Sequence, residues 1–148
     1  MVVFGSRGFE GHVRIKKTGK IVLAYDLMKY VLDKRYEGRD VLFVNGGAKG
    51  ADTLSDKYAK ASGRESKLFK APWETMGDKA GLYRNTLMAN FADEGVAFWD
   101  GKSTGTMDTI KKLESKKKLV HVVTGWRPLD YEPVVTGKPV ASKRVIKG

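Results

Sequence analysis

Short apolar runs alternate with helix-period patterns along this chain, and that alternation constrains the fold more than any single motif. The runs are MVVF (1–4), VLFV (41–44), SKLFK (66–70), VAFW (96–99) and LVHVV (119–123), each followed by a glycine-bearing or polar loop. Four amphipathic patterns lie between them. The first places Ile21, Ala24, Leu27, Met28, Val31 and Leu32 on one face. The second covers roughly 50–62 and stops at Gly63; the others cover roughly 80–92 and 105–117.

Strict β-α alternation predicts a parallel sheet with helices on both faces. Runs that are apolar throughout fit strands covered on both sides. The expected fold is a three-layer α/β/α Rossmann-like domain with a five-stranded, mainly parallel sheet. A length of 148 residues suits one such domain. Ligands of such sheets bind beyond the carboxyl ends of the strands, where strand order reverses. Two stretches fall outside the scheme. Residues 5–20 form a long basic connection, expected to be a functional flap. After Gly125 the chain has three prolines and no helical period, so 1–124 is the expected domain. Residues 125–148 are an irregular basic C-terminal extension, to be a tail, a hairpin or an oligomerisation arm.

The absence of cysteine excludes disulfides, thiolate metal sites and cysteine nucleophiles. No signal-like segment opens the chain and no apolar run approaches a membrane span, so a soluble, cytoplasmic protein is expected, in the host cytoplasm if phage-encoded. The net charge of +11 is unevenly spread. Arg14, Lys16, Lys17 and Lys20 lie in a stretch without acids. Lys111, Lys112, Lys116, Lys117 and Lys118 face a lone Glu114, and the tail adds Lys138, Lys143, Arg144 and Lys147. Such an excess favours polyanionic partners, from nucleotides to nucleic acid, or is a solvated lysine surface.

Four loops at the expected ligand-binding end carry anion-friendly residues. GSRGFEG (5–11) combines backbone that can approach an anion closely with the guanidinium of Arg7. NGGAKGAD (45–52) follows the second strand but is not a dinucleotide fingerprint, which needs glycine where Asn45 stands. It still sets N–H groups and a helix start beside Lys49, with Asp52 placed to cap the helix or reach ribose hydroxyls. WDGKSTGT (99–106) imitates the end of a Walker A loop, but Val96 stands where that motif needs glycine. Ser103, Thr104, Gly105 and Thr106 remain as donors at a helix start. In APWETMGDKAGLYRN (71–85), Trp73 is placed to stack on a base or to wall the cleft, and Arg84 and Asn85 to meet phosphate or sugar.

Catalytic patterns are sparse. His12 lies in the first loop and His121 in the fifth strand, and there is no HExxH, GxSxG or metal-spaced carboxylate cluster. No catalytic residue and no metal site is assigned. The chain reads as a binder.

Taken together, GSRGF, GGAKGAD, APW…G…AG…RN…MA and AFWDGKSTGT resemble, in order over residues 1–124, the YspA-type branch of the SLOG superfamily, related to the LOG phosphoribohydrolases and the DprA core. The resemblance implies a nucleotide or ADP-ribose-type ligand and no certain resident cofactor. By position it implies ligand contacts at Gly5, Ser6 and Arg7, and at Gly46, Gly47, Lys49, Gly50, Ala51 and Asp52. It implies more at Arg84, Asn85, Asp100, Gly101, Lys102, Ser103, Gly105 and Thr106. The LOG enzymes carry a glutamate where this chain has Thr109, with Asp108 one residue away, which puts LOG-type hydrolysis in doubt. The leading expectation is a nucleotide-ligand sensor or sequestering module of bacterial or phage nucleotide signalling. The alternatives are a nucleotide-processing hydrolase, of N-glycosidase, phosphoribohydrolase or phosphohydrolase type and using Asp52, Asp100 or Asp108, and a DprA-like nucleic-acid binder. A homo-oligomer is expected from the resemblance.

Overall fold

A computed structural model describes residues 1–129. The main sheet has five parallel strands: β1 (Val2–Gly5), β4 (Phe43–Asn45), β5 (Ser66–Leu68), β6 (Glu94–Phe98) and β7 (Leu119–Val123). Their order is β5-β4-β1-β6-β7. The chain first winds from β1 outward through β4 to β5, then returns to lay β6 on the other side of β1. Strand order therefore reverses between β1 and β6, which is the switch point of a doubly wound fold.

Alternate side chains feed two apolar layers, one on each face. Val3, Phe43, Val96 and Phe98 meet α1 (Ala24–Tyr36) and α2 (Ala51–Ala61) through Met28, Leu32, Tyr36, Ala51, Tyr58 and Ala59. Val2, Phe4, Val44 and Ala97 meet α4 (Ala80–Phe91) and α5 (Thr104–Ser115) through Met88, Ala89, Ile110 and Leu113. A one-turn helix α3 (Trp73–Met76) and a 3-10 turn (Gly77–Lys79) lead into α4. The expected three-layer α/β/α architecture is thus the observed one, with the central strands β1, β4 and β6 buried on both faces and the edge strands β5 and β7 partly exposed.

The connection at 5–20 is more ordered than a flap. It contains β2 (His12–Ile15), which pairs antiparallel with β3 (Ile21–Leu23) and with β8 (Trp126–Pro128) in the order β3-β2-β8. The first helix accordingly starts at Ala24 rather than Ile21. Val22 pairs with Val13, and the Ala24 amide donates to Gly11 O at 2.7 Å, which closes the hairpin before the helix begins. Trp126 is 1% exposed and meets Phe9 edge-on at 4.7 Å, while Phe9 stacks on Phe98 at 4.6 Å. Through these rings the second sheet shares the core of the first. The expected extension beyond residue 129, with its basic residues Lys138, Lys143, Arg144 and Lys147, lies outside the described residues.

Candidate functional site

At the switch point, a cleft of about 340 Å³ opens beyond the ends of β1 and β6. Its walls come from the loop after β1, the loop before α2, the inner side of α4 and the first turns of α5. The site begins with a close approach. A side chain on Gly5 would collide with the Phe98 carbonyl, and one on Gly50, at φ +87°, would lie 2.6 Å from the Ser6 and Arg7 carbonyls. Two loops from different strands can share one end of the sheet only because no Cβ stands between them.

Asp52 is 4% exposed and turns back under its own loop, accepting from Gly46 N at 2.8 Å and Ala48 N at 3.4 Å. Burial pushes its carboxyl up to about 6, against those two amides and the charges of Arg84 and Arg7. Asn45 Oδ1 accepts the Gly47 amide at 2.8 Å. The expectation of a loop of free N–H groups at 45–52 therefore needs correction. The amides of residues 46–48 are bonded inside the loop, because two of the loop's own polar side chains reach them first.

Arg84 spans the site from α4. Its Nη1 donates to Gly46 O at 2.7 Å and its Nε to Asn85 Oδ1 at 3.1 Å. Burial lowers its pKa, Asp52 opposes that and Arg7 adds to it. Gly46 carries no side chain because a Cβ there would strike this guanidinium. Asn85, buried, passes its Nδ2 protons to Asp108 Oδ2 at 3.2 Å and Gly105 O at 3.4 Å, and so ties α4 to the start of α5.

The loop into α5 is a second self-satisfied turn. Asp100 accepts the amides of Lys102 and Ser103, each at 2.8 Å, and its own amide donates to Ser6 Oγ at 3.0 Å. Partial burial opposes ionisation of Asp100, but these bonds outweigh it and hold the carboxyl below its ordinary value. Ser103 caps α5, accepting from Thr106 N at 3.4 Å, with its Oγ 3.0 Å from Thr106 Oγ1. The amides of Thr104 and Gly105 have no hydrogen-bond partner among the described residues. They lie at the positive end of the α5 dipole.

A second cleft of about 420 Å³ adjoins the first and shares Arg7, Ala48 and Arg84 with it. Its other walls include Gly46, Gly47, Lys49, Leu68, Lys70 and Trp73. Trp73 is 57% exposed, so one face of the indole is open.

The sequence-derived residues are therefore distributed unevenly. Gly5, Ser6, Arg7, Asp52, Arg84, Asn85, Asp100, Ser103, Gly105 and Thr106 line the main cleft. Gly46, Gly47, Lys49 and Trp73 line the second. Lys49 is exposed and paired with Glu10 at 3.2 Å. Gly101 and Lys102 line a further depression with Trp99, Leu82 and Thr104, which shares Ser103 and Gly105 with the main cleft. Gly50 and Ala51 line neither cleft and serve loop packing. Gly8, Ala48, Met88 and Thr109 line the main cleft without having been singled out for it. Gly8 could have been taken from the GSRGF motif, and Thr109 sits where the LOG comparison places the glutamate. Asp108 is not in the main cleft; it pairs with Lys112 at 2.7 Å.

Fold and site together define a doubly wound α/β domain whose switch-point cleft brings two arginines to an open helix start. No family model matches the chain, and no solved structure matches it. The chain is similar to the Gene 61 protein of Mycobacterium phage D29, 36% identical over 80 residues. Those residues cover 50% of this chain and 64% of that protein, so the match spans less than two thirds of the relative. Among the described residues, no helix is long and apolar enough to cross a membrane, and no group of three or more metal-ligating side chains forms.

Proposed function

We propose that the chain binds a nucleotide or nucleotide-derived ligand across the switch-point cleft, as a sensor or sequestering module. One observation carries this reading: Arg7 and Arg84 line both adjoining clefts, and Gly105, whose amide is unpartnered at the start of α5, lines the main one with them. Phosphate is the group that such a combination recognises. Hydroxyls of Ser103, Thr106 and Thr109 suit the polar edges of a sugar, and the open face of Trp73 suits a base. Calorimetry of the wild type and Arg7→Ala against a panel of nucleoside mono-, di- and triphosphates and sugar nucleotides tests it. Binding by at least one, weakened tenfold or more in the variant, is expected; no binding by any defeats the reading.

A hydrolase is the second reading, and the buried carboxyl of Asp52 favours it. A group poised near pH 6 beside two arginines can hold or release a proton at neutral pH. Thr109 offers a hydroxyl where the LOG enzymes carry a carboxylate, so Asp52 would have to supply that chemistry. Chromatography of nucleoside monophosphates and NAD after incubation with the protein decides: unchanged substrates remove this reading and leave the first intact.

A further inference from the structure

The basic connection at 5–20 serves the cleft only through residues 5–8, and the rest of it has a defined form of its own. Its outward face alternates with the buried one: Val13 and Val22 point in with Trp126 and Pro128, while His12, Arg14, Ile21, Leu23 and Arg127 point out. Residues 11–25 contain no acid. The turn at 16–20 is held by Ile15 N to Lys20 O at 2.8 Å, Gly19 N to Ile15 O at 2.7 Å, Lys16 N to Gly125 O at 2.8 Å and Arg14 Nη1 to Gly19 O at 2.6 Å. Lys16, Lys17 and Lys20 stand exposed on this turn and make no side-chain hydrogen bond or ion pair among the described residues.

Several of the other lysines are engaged. Lys29, Lys49, Lys60 and Lys112 have carboxylate partners. Lys118 caps the Ala89 and Asn90 carbonyls at the end of α4. The run at 111–118 thus has two of its five lysines engaged, Lys112 and Lys118, and also holds Glu114. Among the described residues the hairpin is a cationic surface whose own residues, 11–25, include no acid.

We propose that the turn and outer face of β2–β3 dock on the phosphate backbone of duplex DNA. A turn whose backbone is already held brings its lysines together without further ordering of the chain, on meeting a polymer that carries one charge per about 1.7 Å of axis. The outward residues include no Phe, Tyr or Trp, so a stacking platform for single strands is missing. Ile21 and Leu23 are the large apolar side chains this face exposes, too few for the broad apolar side of an interfacial membrane anchor.

The test is fluorescence anisotropy of a labelled duplex of about 20 base pairs with the full chain, over about 50–300 mM salt. The logarithm of affinity is expected to fall linearly with the logarithm of salt. Lys16→Gln/Lys17→Gln/Lys20→Gln should weaken binding about tenfold or more at about 100 mM salt and make the slope shallower by about 2.7. Lys111→Gln/Lys116→Gln/Lys117→Gln should leave the slope unchanged. The single variant Lys17→Glu keeps the turn's backbone bonds and should reproduce part of the loss. Four results would overturn the proposal: no duplex binding, a loss confined to the α5 variant, tighter binding to a single strand of the same length, or binding only to phosphatidylserine vesicles.

Discussion

Asp52 is an ionisable side chain placed where it is more stable protonated. Its carboxyl is held at about 6 by burial, above the ordinary 3.8. The folded state therefore binds this proton more tightly than the unfolded chain. The stabilising contribution is full below pH 3.8 and is lost as pH rises through about 6. Asp52→Asn keeps an acceptor for the Gly46 and Ala48 amides but does not titrate. Wild-type stability relative to this variant should thus fall by about 2–3 kcal/mol between pH 3.5 and pH 7.5 or so, read by urea unfolding at several pH values. A difference that stays flat with pH would show that Asp52 titrates normally. Gly50 supplies the second residue-scale prediction. Gly50→Ala must adopt φ +87° and put a methyl 2.6 Å from two carbonyl oxygens of the first loop, so a loss of about 3 kcal/mol is expected in the same assay.

At the scale of elements, Trp126 joins the second sheet to the core. Its ring fills the space against Phe9, and its Nε1 donates to Val123 O at 3.1 Å. Trp126→Ala should cost about 3–5 kcal/mol and release hydrogen-exchange protection in β2 and β3 before the main sheet opens. Protection lost evenly everywhere would mean that the two sheets unfold as one unit. These same elements mark the limit of what the sequence could yield. The five core strands and their helices were legible because the helices have sustained periods and the strands centre on short, mostly apolar runs, weakest at the edge strand Ser66–Leu68. The strand at His12–Ile15 has two cycles of alternation, with charged residues on the outward half, and one partner is Trp126–Pro128 at the far end of the chain. A proline-bearing tripeptide has no local strand signal; pairing and burial make it one. In the candidate site, residue types were legible and bonding was not. Asp52 and Asp100 both look like groups that could face a ligand, yet each gives one oxygen, Asp52 Oδ2 and Asp100 Oδ1, to two amides of its own loop. A sequence does not distinguish a carboxylate that closes a turn from one that awaits a sugar.

At the scale of the whole molecule, the cleft is bounded by loops from both halves of the doubly wound sheet. The Gly5–Gly8 and 45–50 segments belong to the half that winds outward from β1, and α4 and the start of α5 to the half that returns. A ligand held at Arg7, Arg84 and the α5 start would couple those halves, so binding should appear as stability of the entire fold. At a hundredfold excess over the dissociation constant, linkage adds about 2.7 kcal/mol to the unfolding free energy. Thermal shift with the tightest nucleotide of the panel should show that increment in the wild type and little of it in Arg7→Ala. Hydrogen exchange then separates the two accounts of the loops. If the free donors are those of Thr104 and Gly105, these amides gain protection in the complex, whereas those of Gly46, Gly47 and Ala48, already bonded to Asp52 and Asn45, change little. The opposite pattern would mean that the Asp52 carboxylate yields its amides to the ligand, and that the glycine-rich loop, rather than the start of α5, takes the phosphate.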